Sequence, residues 1–192
     1  MTIYGGLIFA LWLTLVAYWG LSAARALRSS GSRWIWWREI AVRLGFFALV
    51  VLILPIAVAG HALPNASSSA LNTSMPMGLI GFVLCVFGTG LAVLGRASLG
   101  RSCGMPTSKQ ENPELVTTGP YALVRHPIYG GMLLAMLGSA IGQSVLWLLP
   151  LIVYAPSFIR SARREEKLLL KQFPERYRAY RQRTTMLLPF VF

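Results

Sequence analysis

The chain has 192 residues, of which 55% are hydrophobic and only 12% are charged. Soluble domains carry about 25% charged residues, so this balance excludes an ordinary soluble protein and predicts one integral membrane domain over residues 1–192. The formal net charge of +12 could indicate nucleic-acid binding, but long apolar runs separate the basic residues. We expect these charges to anchor the cytoplasmic side of a membrane protein and predict no nucleic-acid partner.

Five apolar stretches follow one another along the chain, at residues 3–24, 42–62, 76–95, 128–142 and 145–159. About 20 apolar residues cross about 30 Å of hydrocarbon as a helix. The pattern therefore predicts an all-α fold with five transmembrane helices. Three of them lie in residues 1–95, and a short hairpin of the fourth and fifth helices lies in residues 96–192, followed by cytoplasmic C-terminal helices. Small residues at helical spacing predict close packing within that hairpin, at Gly131, Ala135 and Ser139.

The charges test this helix count. All 18 basic residues fall in the first loop, the third loop or the tail, and these segments share one side of a five-helix protein. Four or six helices would break the segregation. The positive-inside rule then predicts an outside N-terminus and a cytoplasmic C-terminus.

Pro174 divides the charged tail into two predicted helices, because proline suits the first turn of a helix and disrupts its interior. The first should continue from the membrane to about Gln172. On that helix Glu165 shares the apolar face, where a carboxylate needs a partner. Glu166 points about 100° away, and we expect it to be solvated or paired with a neighbouring Arg. The apolar face itself is formed by Phe158, Ala162, Leu169 and Phe173.

The segment Arg-His-Pro-Ile-Tyr at 125–129 lies where the third loop enters the fourth helix. Pro127 marks a helix start, whose free backbone N–H groups favour an anion. Tyr121 and Tyr129 offer aromatic faces that attract a cation, and Glu165 could hold an ammonium or a ribose hydroxyl. S-adenosylmethionine carries such a combination of charges. Each residue also has a structural explanation as a helix cap, an interfacial aromatic or an anchoring charge.

An ordered series of motifs follows over residues 95–192. The motifs are Leu-Val-Thr-Thr-Gly-Pro-Tyr at 115–121, Arg-His-Pro-Ile-Tyr-Gly at 125–130, Arg-Glu-Glu at 164–166, Phe-Pro-Glu-Arg-Tyr-Arg-Ala-Tyr at 173–180 and Leu-Pro-Phe at 188–190. This series resembles the isoprenylcysteine carboxyl methyltransferase family, and the related phospholipid N-methyltransferases share much of the pattern. The resemblance implies an integral membrane methyltransferase that uses S-adenosylmethionine near the cytoplasmic face.

The same resemblance implies roles for individual residues. An Arg shortly before the Glu pair would meet the substrate, either Arg160 or Arg164. The substrate would be lipid-like or prenylated and would enter from the bilayer. The implied cofactor contacts are Leu115, Val116, Tyr121, His126, Pro127, Ile128, Tyr129 and Glu165.

Two chemistries and two other functions stay open from the sequence. A carboxylate acceptor is already anionic and needs no general base, whereas an amine acceptor would need one, with Glu166 or His126 as candidates. The chain could instead be a non-catalytic accessory protein of the same fold, or a membrane reductase that binds NADPH. Cys85 and Cys103 show no disulfide or metal-site spacing, so we predict no metal.

Overall fold

The structure is a computed structural model that describes residues 3–27, 74–99 and 115–187. The predicted second span, at 42–62, lies outside the described residues. The described part contains helices and no strand, which confirms the all-α prediction. The α-helices are α1 (Ile3–Leu27), α2 (Met75–Leu99), α3 (Pro127–Gly142), α4 (Leu148–Gln172) and α5 (Pro174–Arg183), and two 3₁₀ turns cover Gly119–Ala122 and Val145–Trp147.

Three described helices are long and apolar enough to cross a membrane. The candidate spans are Ile3–Ser22, Met75–Leu99 and Val145–Gln172, the last of which joins the second 3₁₀ turn to α4. In addition, α3 is a shorter apolar helix of 16 residues. Large apolar side chains such as Phe87 and Ile152 are exposed on these helices, as lipid-facing side chains are. The protein is therefore an integral membrane protein, while the total of five spans stays a prediction.

The boundaries around the tail follow the sequence expectation. The helix that contains the last apolar stretch does not end with that stretch at residue 159. Instead, α4 continues without a break to Gln172. Pro174 then occupies the first position of α5, where its missing N–H leaves no hydrogen bond unmade. The prediction of one long helix followed by a second helix after Pro174 is confirmed.

One compact unit comprises residues 1–85 and 136–150. Trp12 is buried in this unit, with 2% of its surface exposed. Its indole Nε1 donates a hydrogen bond to Ser139 Oγ at 2.9 Å. The Trp12 ring also stacks on Trp147 with centroids 5.0 Å apart. These contacts attach α1 to the end of α3 and to the turn that follows it.

The other compact unit comprises residues 86–135 and 151–192. Within it, α2 and α3 approach so closely that a Cβ on Gly88 would lie 2.5 Å from the carbonyl oxygen of Gly131. A Cβ on Gly131 would likewise lie 2.5 Å from the oxygen of Gly88. The small residues do bring helices together, but Gly131 packs on α2, not within the predicted hairpin.

Candidate active site

The described part of the third loop ends in a tight turn before α3. Gly119 has φ of +62°, a left-handed conformation that favours glycine, and it begins the 3₁₀ turn Gly119–Ala122, in which Pro120 is the second residue. The turn buries Tyr121, whose backbone oxygen accepts a hydrogen bond of 2.6 Å from the Tyr180 hydroxyl. Thus α5 holds the turn in place.

The segment after α5 runs beside this loop. The backbone N–H of Arg125 donates to the oxygen of Thr185 at 2.9 Å, and that of His126 donates to Met186 at 3.0 Å. Met186 and Leu187 are buried and pack on Ala162 of α4. Loop, C-terminal segment and α4 are therefore attached to one another at the entrance to α3.

Four charged or titratable side chains meet at this junction, and we call Arg125, His126, Glu165 and Glu166 the charged cluster. Arg125 Nε donates to Glu166 Oε1 at 2.7 Å, and both side chains are less than one tenth exposed. His126 lies between the carboxylates, with Nδ1 3.4 Å from Glu165 Oε2 and Nε2 3.5 Å from Glu166 Oε1. Two carboxylates and two basic groups thus share a largely buried space.

The two sides of His126 differ. Its Nε2 is buried and makes no hydrogen bond, although it lies at ion-pair distance from Glu166. Burial lowers the pKa of His126, but the neighbouring carboxylates of Glu165 and Glu166 outweigh it, and the net shift is upward. The cluster therefore stabilises the imidazolium form more than water does around a free histidine.

Tyr129 completes the site on α3. Its hydroxyl donates to Glu165 Oε1 at 2.5 Å, and its ring stacks on His126 and on Phe158, with centroids 5.8 and 5.1 Å away. The ring faces are thus engaged in packing, and the polar contribution of Tyr129 is its hydroxyl. Glu165 keeps 38% of its side chain exposed, so it is the carboxylate that a ligand can reach.

The structure brings three of the predicted cofactor residues together: His126, Tyr129 and Glu165. Pro127 and Ile128 face α2, because a Cβ on Gly95 would lie 3.0 Å from Pro127 Cγ and 3.2 Å from Ile128 Cγ1.

The other predicted site residues lie away from the described contacts of the cluster. Tyr121 is buried in the turn, and Leu115 and Val116 are half-buried before it. Arg160 and Arg164 are exposed on α4, and Arg160 Nε donates to the oxygen of Pro156 at 3.2 Å. Their roles stay predictions.

Sequence reasoning misplaced Glu166. The alternative that Glu166 is solvated is wrong, since it is 6% exposed. It does pair with an Arg, but the partner is Arg125, 41 residues away in the chain. The buried positions Phe158, Ala162 and Glu166 recur every four residues, and this spacing was the available signal. The helix therefore presents both carboxylates to His126.

No group of three or more His, Cys, Asp or Glu side chains suited to a metal ion occurs among residues 3–27, 74–99 and 115–187. The absence of a metal partner remains a prediction for the whole chain.

Comparison with known proteins gives one family and two relatives. The family model described as phospholipid methyltransferase matches residues 77–176, a range that includes the whole charged cluster. The nickel-cobalt-cadmium resistance protein NccN of Alcaligenes xylosoxydans xylosoxydans is 32% identical over 155 residues, which are 77% of this chain and 64% of NccN. The cobalt-zinc-cadmium resistance protein CzcN of Cupriavidus metallidurans is 33% identical over 111 residues, 55% of this chain and 48% of CzcN. The chain thus spans about half to two thirds of these relatives.

Proposed function

The chain belongs to the phospholipid methyltransferase family, and from that premise we propose that it transfers a methyl group from S-adenosylmethionine to a lipid-like substrate. The observation that carries this proposal is the charged cluster with Tyr129, which presents a half-exposed carboxylate and a buried imidazole at the entrance to α3. A polar site on an otherwise apolar membrane protein is where its chemistry is expected.

The donor set fits the cofactor. Glu165 can hold an ammonium or a hydroxyl, and its carboxylate is already oriented by the Tyr129 hydroxyl at 2.5 Å. When bound, S-adenosylmethionine supplies an electrophilic methyl group on a sulfonium, which a substrate oxygen or nitrogen can take in one displacement.

The state of the charged cluster bears on the acceptor. Glu166 is held as a carboxylate by Arg125 at 2.7 Å, which makes it a weak base for an amine. A carboxylate acceptor needs no base. The cluster thus supports O-methylation. Exposed Arg160 or Arg164 would orient such a carboxylate. The alternative is N-methylation of a phospholipid amine, and the family description names phospholipids.

Cofactor binding is the first test. Calorimetry on the purified protein in lipid nanodiscs should detect S-adenosylmethionine, and Glu165→Gln should weaken its binding about tenfold or more, because a charged hydrogen-bond partner is lost. Glu175→Gln is the matched control, since it removes an exposed carboxylate on α5. Absence of binding to the parent at millimolar cofactor would refute the proposal, and binding of NADPH instead would favour a reductase.

Methyl transfer is the second test. Native membrane lipid is incubated with the protein and cofactor labelled in the methyl group, and the product is treated with base. Base-labile label identifies a methyl ester, whereas base-stable label excludes one and favours the N-methylation alternative. Cofactor binding without any labelled product would favour the non-catalytic accessory protein.

The two relatives suggest a cellular setting. Both are named for resistance to cobalt and cadmium, and NccN matches 77% of this chain. We propose that the methyl transfer contributes to tolerance of such metals in the source organism. Deleting the gene should lower the cobalt concentration that stops growth, and the parent gene but not Glu165→Gln should restore it. Full restoration by Glu165→Gln would separate tolerance from the site.

A further inference from the structure

Arg125 makes more contacts than an anchoring charge needs. Its Nε donates to Glu166 Oε1, and its Nη1 donates to the backbone oxygens of Arg181, at 3.3 Å, and Thr184. Its own backbone N–H pairs with Thr185. One side chain thus joins the loop before α3, the carboxylate on α4 and the chain that leaves α5.

Arg125 and His126 approach the same oxygen of Glu166. Arg125 Nε lies 2.7 Å from Oε1, whereas His126 Nε2 lies 3.5 Å from it and makes no hydrogen bond. A guanidinium at short distance partly neutralises the charge of the carboxylate. The carboxylate therefore attracts the imidazole less strongly than it would without the guanidinium.

We infer that Arg125 is a positioning residue, which retains Glu166 so that His126 is oriented by Glu165, the carboxylate that a ligand can reach. The catalytic consequence of this role rests on the proposed function. The retention of Glu166 does not, because it is a property of the protein without cofactor.

The surroundings of His126 make this role measurable. Carboxylates face it from α4, at Glu165 and Glu166, and Arg125 faces the same cluster from the loop. Tyr129 stacks on it from α3. From α5, Arg181 Nε lies 3.8 Å from Glu166 Oε2. The buried Tyr177, also on α5, interacts electrostatically with Glu166. Without the Arg125 charge, the full negative charge of Glu166 should act on His126 and raise the pKa of the imidazole.

The test is an NMR titration of His126. The chain has two histidines, so a His61→Gln background leaves His126 as the single imidazole signal. We expect Arg125→Gln to raise the pKa of His126 by about one unit or more, as for a newly uncompensated neighbouring charge. Arg125→Lys keeps the positive charge but loses the several N–H donors of the guanidinium. The pKa of His126 in this variant should fall between those of Arg125→Gln and the parent. Arg176→Gln is the matched control, because it removes an exposed charge from α5, and should leave the titration unchanged.

A double-mutant cycle decides whether Arg125 acts through Glu166. In a Glu166→Gln background, Arg125→Gln should shift the pKa much less, since no carboxylate is released. An unchanged pKa in Arg125→Gln, or the same shift in both backgrounds, overturns the inference. If Arg125→Gln does not fold, Arg125→Lys and Glu166→Gln carry the test. Glu166→Gln must then lower the pKa of His126 and Arg125→Lys must raise it, and the opposite result in either overturns the inference.

The catalytic consequence is measured separately. In folded Arg125→Lys, the pH dependence of methyl transfer should shift in the same direction as the pKa of His126. The affinity for the cofactor should be largely kept. A merely structural role predicts an unchanged profile with less folded protein. Because the titration needs no turnover, it can succeed even if no methyl transfer is found.

Discussion

Tyr177 and Tyr180 lie one turn apart on α5, but their hydroxyls have different surroundings. The Tyr180 hydroxyl donates to the oxygen of Tyr121 at 2.6 Å, whereas the Tyr177 hydroxyl is buried without a hydrogen-bond partner among the described residues. Burial raises the pKa of Tyr180 to about 12, so it remains a donor at every ordinary pH. A buried hydroxyl contributes to stability only when it is paired.

We therefore expect opposite results from one chemical change at these two positions. Tyr180→Phe should lower the free energy of unfolding by about 1 kcal/mol, because it leaves the oxygen of Tyr121 without its donor. Tyr177→Phe should leave stability unchanged or raise it, since it removes an unpaired polar group. Thermal unfolding of both purified variants in detergent gives the comparison. A larger loss in Tyr177→Phe would contradict the assignment.

His126 makes stability depend on pH with a defined sign. Its pKa in the folded protein is raised above the ordinary value of 6.5, despite the opposing effect of burial, by Glu165 and Glu166. Its contribution is therefore complete below about pH 6.5 and is lost as the pH rises through the folded-state pKa.

The thermal midpoint of the parent should accordingly fall as the pH is raised through that window, and His126→Gln should flatten the dependence. His61→Gln serves as the control and should keep the parent slope. If His126→Gln retains the full slope, another group is responsible.

The site shows how far sequence reasoning reaches at the residue scale. The proximity of His126, Tyr129 and Glu165 was predictable, because family motifs and helix periodicity both pointed to them. The burial of Glu166 was not recognised, since the apolar face was drawn through Leu169, which is half-buried. Pairing with Arg125 spans 41 residues, and single-chain periodicity carries no information on such distant contacts.

At the scale of helices, small residues decide how closely α2 and α3 approach. Gly88→Ala adds one carbon that would lie 2.5 Å from the backbone nitrogen of Ala135 and the oxygen of Gly131. Backbone atoms cannot rotate away as a side chain can, so the helices must separate. We expect a loss of about 1–3 kcal/mol in the free energy of unfolding.

Gly90 on the same helix provides the control. A Cβ there meets nothing within 4 Å, and alanine is the better helix former. Gly90→Ala should therefore keep or raise the thermal midpoint in detergent, while Gly88→Ala lowers it. Equal behaviour of the two variants would show that the helices do not meet at Gly88.

Helix identity and helix partners differ in how well sequence predicts them. The helix type and the break at Pro174 follow from local chemistry, and both were predicted correctly. The partner of the small-residue stripe was not, because Gly131 has the same spacing whichever helix it packs on. Spacing identifies a face that permits close approach, and only the tertiary structure selects α2.

At the scale of the whole molecule, charge predicts orientation in the membrane. Between residues 160 and 183, nine exposed side chains are basic and only Glu175 is exposed and acidic. Such an excess next to an apolar span is retained on the cytoplasmic side. Glu165 and Glu166 of the charged cluster lie on this same stretch of the chain, so the same orientation would place the site towards the cytoplasm.

Cysteine accessibility in intact cells tests this orientation. In a background of Cys85→Ala and Cys103→Ala, Gln172→Cys places a thiol at the exposed end of α4, and Ser68→Cys places one in the predicted outer loop. A membrane-impermeant maleimide should label Ser68→Cys in intact cells and Gln172→Cys only after the cells are permeabilised. Labelling of Gln172→Cys in intact cells would reverse the orientation. The site would then open to the outer side, where the cytoplasmic pool of S-adenosylmethionine could not reach it directly.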